Sequence, residues 1–284
     1  MTDEWSIRDK VCVVTGATAG IGYVTALELA RRGAHVVLTA RTLAKGQPVA
    51  EAIRTATGNQ RVDVHPLELD DLAKVRASAA ALLERGLPLH VLINNAGLAG
   101  QRGRTADGFE MHFGVNHLGP FLFTALLRER LVASAPARIV NVASKAHFDA
   151  KQGIDFEAQR RSTPSLTGLP EYAVSKLANV LFTRELARRL AGSGVTAYSL
   201  HPGVVATDVW RAIPAPVAWI MKRFMISPEQ GAATTLYCAT DPALAGTSGR
   251  YYDECRERTP SRVAQDDALA AELWKRSEQM VGLA

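Results

Sequence analysis

Tyr172 and Lys176 stand four residues apart in Tyr172-Ala173-Val174-Ser175-Lys176, inside a stretch of helical periodicity, so a phenol and an ammonium project from one helix face. A phenol titrates at about pH 10 and is a poor proton shuttle at neutral pH. A neighbouring cation favours the phenolate, each tenfold gain in acidity being worth about 1.4 kcal/mol. Tyr172 can then exchange a proton with a carbonyl or alcohol oxygen. On an arbitrary helix such a pair is a surface contact worth little, so its meaning depends on what else the chain carries.

A second group of residues suits a phosphate. Thr15-Gly16-Ala17-Thr18-Ala19-Gly20-Ile21-Gly22 follows a β-branched run and opens a helical one. Glycines there let the chain turn sharply and bring backbone N–H groups to a pyrophosphate at the positive end of a helix. The end of the second predicted strand then chooses the dinucleotide: an acid would hold a ribose 2'-hydroxyl, a cation a 2'-phosphate. Leu38-Thr39-Ala40-Arg41 places Arg41 there, with no acid until Glu51, which predicts NADP(H). Glu68 and Leu69 close the third strand, where a carboxylate can accept a bond from an adenine amino group. Asn95, Ala96 and Gly97 close the fourth, where small residues leave room for the adenosine ribose.

The elements that must position these residues alternate in type. Short β-branched runs at 11–14, 34–38, 62–67, 91–93, 139–142, 196–200 and 250–252 are separated by helical segments that include 21–32, 43–57, 72–84 and 172–190. Several of those segments are closed by glycine. This alternation predicts an α/β, three-layer, doubly wound Rossmann fold with a seven-stranded parallel sheet. His65-Pro66 weakens the third strand, because proline lacks a ladder donor. No linker or repeat divides the chain, so 1–284 reads as one domain.

Composition excludes several alternatives. The 284 residues are 47% hydrophobic and 21% charged, as in soluble globular domains. The net charge of +5 is spread over isolated basic pairs such as Arg31-Arg32, with acids nearby, which argues against nucleic acid. Cys12, Cys238 and Cys255 are too scattered for a disulfide framework or a zinc site, so no metal is expected. No stretch approaches the roughly 18 apolar residues of a membrane span, and Met1 to Lys10 is polar and acidic. A soluble, cytoplasmic protein is expected.

Taken in order, the loop at 15–22, Asn94-Asn95-Ala96-Gly97, Asn116 in Val115-Asn116-His117-Leu118-Gly119, Ser144, Tyr172 with Lys176, and Pro202-Gly203 resemble the short-chain dehydrogenase/reductase superfamily over nearly the whole chain. Within it the chain is most like the retinol dehydrogenase and WW-domain oxidoreductase branch, on the segments 105–112, 115–119, 175–179 and 200–203. The resemblance implies roles. Tyr172 is the acid/base, and Lys176 binds the nicotinamide ribose and depresses the tyrosine pKa. Ser144 orients the substrate oxygen, and Asn116 holds a water that links Lys176 to solvent. Gly16, Thr18, Ala19, Gly20, Ile21, Gly22, Arg41, Glu68, Leu69, Asn95, Ala96, Gly97, Pro202 and Gly203 contact the cofactor, with Val205 and Thr207 at the nicotinamide carboxamide. Glu68 stands where the family usually has Asp, which shifts the adenine contact. Retinoid specificity is not carried over.

The expected substrate is a small-molecule carbonyl or alcohol. The excursion at 145–171 and an apolar lid at about 207–226, carrying Trp210, Trp219 and Phe224, suggest a lipophilic one. Two other readings use the same motifs: an NADP(H)-sensing regulator on this fold, and a reductase of an activated C=C bond. The resemblance also implies a homo-oligomer, dimer or tetramer, with Leu122, Leu126, Leu177 and Phe182 serving either a helical interface or the core.

Overall fold

A computed structural model describes residues 5–204 and 226–284. Its sheet is built from β1 (Val11–Val14), β2 (His35–Ala40), β3 (Val62–Pro66), β4 (Val91–Asn94), β5 (Ala137–Val142), β6 (Val195–His201), β7 (Arg250–Asp253) and β8 (Arg256–Arg258). The spatial order is β3-β2-β1-β4-β5-β6-β7-β8. Neighbours from β3 through β7 pair in parallel. Proline is tolerated at Pro66 because β3 is an edge strand and Pro66 is its last residue.

The sheet therefore has eight strands where the sequence predicts seven. The extra strand, β8, runs antiparallel to β7, with Asp253 opposite Arg256. Glu254 and Cys255 make the two-residue turn between them at φ 53° and 56°. That turn normally advertises itself with Asn or Gly, and this one does not.

The helices are α1 (Gly20–Arg31), α2 (Leu43–Thr57), α3 (Leu72–Glu84), a short α4 (Met111–Phe113), α5 (Gly119–Ala133), α6 (Leu169–Arg189), α7 (Pro228–Thr240) and α8 (Asp267–Val281). Both faces of the sheet are covered, because alternate strand residues feed two separate cores. Val11, Val13 and Val37 join residues of α3, α5, α6 and α8, while Cys12, Val14, Val36 and Leu38 join those of α1, α2 and α7. Each fully buried valine or leucine contributes roughly 1.5–3 kcal/mol.

Helix α8 packs on α6 through Trp274, whose ring stacks with Phe182. Leu122, Leu177 and Phe182 thus belong to the core of one chain, and Leu126 is half-buried beside them. Among the described residues, no helix is long and apolar enough to cross a membrane.

Candidate active site

The order of strands reverses direction between β1 and β4, and open α/β sheets bind ligands at that switch point. The loops leaving these two strands are laced together there. Thr15 Oγ1 accepts the amide N–H groups of Asn95 and Ala96, both at 2.9 Å. Asn95 Nδ2 in return donates to the Thr15 carbonyl at 2.8 Å. Gly16 adopts φ +64°, and a Cβ on it would lie 2.8 Å from Ala96 Cα. A Cβ on Gly22 would collide with the Gly16 carbonyl and stand 2.5 Å from Asn95 Nδ2.

This close folding brings the loop over the start of α1, which has no side-chain cap at Ala19. Its first-turn N–H groups keep their partial positive charge for an anion. Thr18 and Ala19 are exposed, and Gly20 and Ile21 half-buried, along the same edge. A glycine cradle without side chains, closed by the loop after β4 and backed by an uncapped helix end, fits a dinucleotide pyrophosphate.

Arg41 follows β2 directly, is exposed, and has no hydrogen-bond or ion-pair partner among the described residues. Its guanidinium is free for a phosphate. Glu68 makes an ion pair with Lys74 at 3.0 Å, so its carboxylate already has a partner within the chain. Leu69 is buried, with its carbonyl against Gly119.

The four residues expected to do chemistry converge at the carboxyl ends of β4 and β5. Ser144 lies just past β5 and caps the turn Lys145–Phe148, its Oγ accepting the Ala146 N–H at 3.1 Å. Its side chain also neighbours the Tyr172 phenol and works to lower that group's pKa. Tyr172 and Lys176 occupy successive turns of α6 and are buried, with Lys176 Nζ 5.5 Å from the tyrosine ring centre. Lys176 Nζ donates to the Val142 carbonyl at 2.8 Å.

Asn116 sits in a π-helical turn, Gly114–Leu118, that widens the junction of α4 and α5. Its Oδ1 accepts the Leu98 N–H at 2.9 Å, and its Nδ2 donates to the Leu98 carbonyl and to Ser175 Oγ, both at 3.0 Å. Ser175 Oγ donates in turn to the Tyr172 carbonyl at 2.7 Å. Gly97 lies over this group, and a Cβ there would be 3.6 Å from Lys176 Nζ.

Electrostatics in the chain itself differs from the sequence expectation at one point. Burial pushes the Tyr172 phenol up to about 12, against the opposing pull of the Ser144 side chain. Burial likewise brings the Lys176 ammonium down to about 8. Spacing predicts a phenol acidified by its cation, whereas within the chain desolvation of the phenolate sets the direction of the shift. The site holds a protonated phenol, which suits a proton donor.

Several residues of the site carry no sequence signal. His147 Nδ1–H donates to the Ser144 carbonyl at 2.6 Å, while its Nε2 accepts the Ser261 N–H at 3.1 Å, which fixes both the ring and its tautomer. His201, pushed down to about 4 by burial, accepts the Lys145 N–H at 3.2 Å. Two neutral imidazoles therefore hold the Ser144–Lys145 peptide from either side. Behind them Asn94 Nδ2 donates to Asn141 at 2.8 Å, and Asn141 Nδ2 donates to Thr183 at 2.9 Å, tying β4, β5 and α6 into one block.

Pro202 is half-buried after β6, and Gly203 takes φ +91° with Ile226 packed where a Cβ would go. Val205 and Thr207 lie outside the described residues, as does the expected lid at 207–226 apart from Ile226.

The family model for the short chain dehydrogenases matches residues 10–156 and 161–217. Retinol dehydrogenase 11 of Homo sapiens is 48% identical over 285 residues, covering 99% of this chain and 89% of the relative. A crystal structure of a Mycobacterium paratuberculosis protein superposes with a TM-score of 0.79 at 36% identity, over 99% of this chain and 96% of that one. The Pseudomonas aeruginosa RhlG/NADP active-site complex superposes with a TM-score of 0.71 at 26% identity, over 89% of this chain and 97% of that one.

Proposed function

We propose, from the premise that the chain belongs to the short chain dehydrogenase family, that it is an NADP(H)-dependent oxidoreductase that interconverts a lipophilic ketone or aldehyde with its alcohol. The observation that carries this reading is the convergence of Ser144, just past β5, with Tyr172 and Lys176 buried on successive turns of α6, the Lys176 Nζ 5.5 Å from the tyrosine ring centre.

The loop from Gly16 to Gly22, Asn95, Ala96, Gly97, Pro202 and Gly203 would hold the dinucleotide, and Arg41 would take its 2'-phosphate. Leu69, Val205 and Thr207 belong to the same reading, with Glu68 reaching the adenine from its ion pair. The chemistry the dinucleotide supplies when bound is hydride donation or acceptance. Tyr172 gives its proton to the substrate oxygen in reduction and recovers it in oxidation. Ser144 donates to that oxygen as negative charge develops, and its backbone, pinned by His147, needs no rearrangement at that moment. Lys176 places a cation beside the phenol. Asn116 fixes Leu98 and Ser175 around it and would hold the water that resupplies the proton.

A lipophilic substrate is supported by exposed apolar side chains on the segments flanking the site: Phe148 after Ser144, Leu166 and Leu169 before Tyr172, and Val204 after Gly203. The similarity to a retinol dehydrogenase points the same way. A cytoplasmic location is consistent with three free cysteines. The implied homo-oligomer would use a surface other than the α6 face taken by α8, and light scattering would report its mass.

The test is a side-by-side screen of NADPH and NADH with ketones, aldehydes and quinones. The expected result is oxidation of NADPH with formation of an alcohol, abolished in Tyr172→Phe. Binding of NADPH without turnover of any compound would support the sensor reading instead, and a saturated carbonyl product would support C=C reduction.

A further inference from the structure

Beside Tyr172, outside the residues given a chemical role above, lies a buried carboxylate–imidazole pair. Glu110 is 1% exposed and His112 0% exposed. The Glu110 carboxylate takes three donors: the Phe113 N–H at 2.8 Å, Thr163 Oγ1 at 2.6 Å and His112 Nδ1–H at 2.9 Å. Burial alone would raise its pKa, but hydrogen bonds from His112, Thr163 and Phe113 hold it below the usual carboxylate range. A buried charge costs several kcal/mol unless it is this well paired, and a leucine would fill the same space without that cost. The carboxylate must therefore serve something besides packing.

It fixes an imidazole. With its Nδ1 proton held by Glu110, His112 has one ring orientation, and its Nε2 is buried with no hydrogen-bond partner among the described residues. The ring lies against Gly168, where a Cβ would come within 2.7 Å of His112 Cε1. It also meets the Tyr172 ring edge to face, with centres 6.2 Å apart. Gly168 is the residue from which α6 starts, at φ +68°, and its carbonyl accepts the Tyr172 N–H at 2.9 Å. The imidazole thus abuts both the first turn of α6 and the phenol that this turn delivers. Through Thr163, whose Oγ1 also accepts the Gly103 N–H at 3.1 Å, the same carboxylate ties the 145–171 excursion to the loop before α4.

We propose that Glu110 and His112 are positioning residues for Tyr172: the carboxylate locks the imidazole, and the imidazole sets where the phenol stands. This rests on the reading of Tyr172 as the acid/base. Neither residue is placed in the proton path.

The test compares Glu110→Gln, His112→Leu and His112→Asn. Glutamine can accept the Phe113 N–H only by turning its NH2 donor toward His112 Nδ1 and Thr163 Oγ1, and leucine keeps bulk without a donor. Asparagine puts an amide N–H where His112 Nδ1 stands. The first two should lower kcat about tenfold to a hundredfold, with KM for NADPH within about twofold of the original. Asparagine, which keeps the bond to Glu110 but lacks the ring atoms that meet Gly168 and Tyr172, should restore part of that loss.

A second readout needs no turnover. The Tyr172 ultraviolet titration, isolated by subtracting Tyr172→Phe, should move from about 12 toward about 10 in the first two variants, as the helix turn loosens and water reaches the phenol. Unchanged kcat and titration in folded Glu110→Gln and His112→Leu would overturn the proposal, as would an asparagine variant no better than leucine. If Glu110→Gln does not fold, Thr163→Val removes one of its donors and should move both readouts in the same direction. Absence of turnover in the unaltered protein would refute the functional reading, whereas the titration would still decide the dyad.

Discussion

The indole of Trp274 stacks on the ring of Phe182 at 5.8 Å between centres, with 28° between planes, and so joins the last helix to the helix that carries Tyr172 and Lys176. Phe121 meets the same indole edge-on at 5.0 Å, and the Arg189 guanidinium lies 4.4 Å from its centre. One side chain thus bridges α8, α5 and α6. Its Nε1–H is buried without a partner among the described residues, so its contribution is packing and not hydrogen bonding.

Trp274→Ala is accordingly expected to lower the unfolding free energy by about 3–5 kcal/mol. Trp274→Phe should cost much less, since it keeps an aromatic ring and removes an unsatisfied donor. Urea denaturation of the two variants checks this. Equal losses would mean that the indole N–H has a role the packing does not reveal.

Arg41→Ala separates cofactor choice from stability. The side chain is exposed and has no partner among the described residues, so the melting temperature should stay within error. Charge-assisted hydrogen bonds to a phosphate are worth about 1.5–3 kcal/mol, so KM for NADPH should rise about tenfold to a hundredfold while KM for NADH stays put. An unchanged NADPH KM would remove Arg41 from the site.

Much of this site can be read before folding because its parts are tied to strand ends and to one helix face. Tyr172 and Lys176 follow from a spacing of four on α6, and Ser144 from the end of a β-branched run. What cannot be read depends on distant chain segments or on burial. His147 needs Ser261, 114 positions away, and Glu110 needs Thr163, 53 positions away. The rise of the Tyr172 pKa is a desolvation effect, and spacing carries no information on it. Strand β8 escapes because Glu254 and Cys255 hold positive φ without glycine or asparagine.

Gly16→Ala tests the cradle. Its φ of +64° is strained for any L side chain, and the new Cβ would stand 2.8 Å from Ala96 Cα in the loop after β4. The two loops must part, at a cost of about 1–3 kcal/mol in stability. NADPH affinity should fall more than substrate affinity, since the cradle is the part deformed. Calorimetric titration with NADPH checks this, and undiminished affinity would place the pyrophosphate elsewhere.

Burial of Lys176 has a stability signature with a definite sign. Its pKa falls from 10.5 to about 8 on folding. Below that window both states are protonated and the full cost of burying the charge is present. Inside it the unfolded chain binds a proton that the folded one does not, so stability rises with pH from about 8 to about 10.5. Lys176→Met has no such term. Relative to the original protein it should be more stable at neutral pH, and that advantage should shrink by pH ~9.5. Tyr172 acts with the opposite sign and only above about pH 10, so at pH ~9.5 the Lys176 effect is read without it. Buried thiols such as Cys12 titrate equally in both proteins and cancel in the difference. Ketone reduction by the unaltered enzyme should decline as pH passes through about 8, where the cation beside the phenol is lost. Urea curves for the pair at neutral pH and at pH ~9.5 measure the linkage, and a difference independent of pH would mean that Lys176 keeps its proton in its buried position throughout that range.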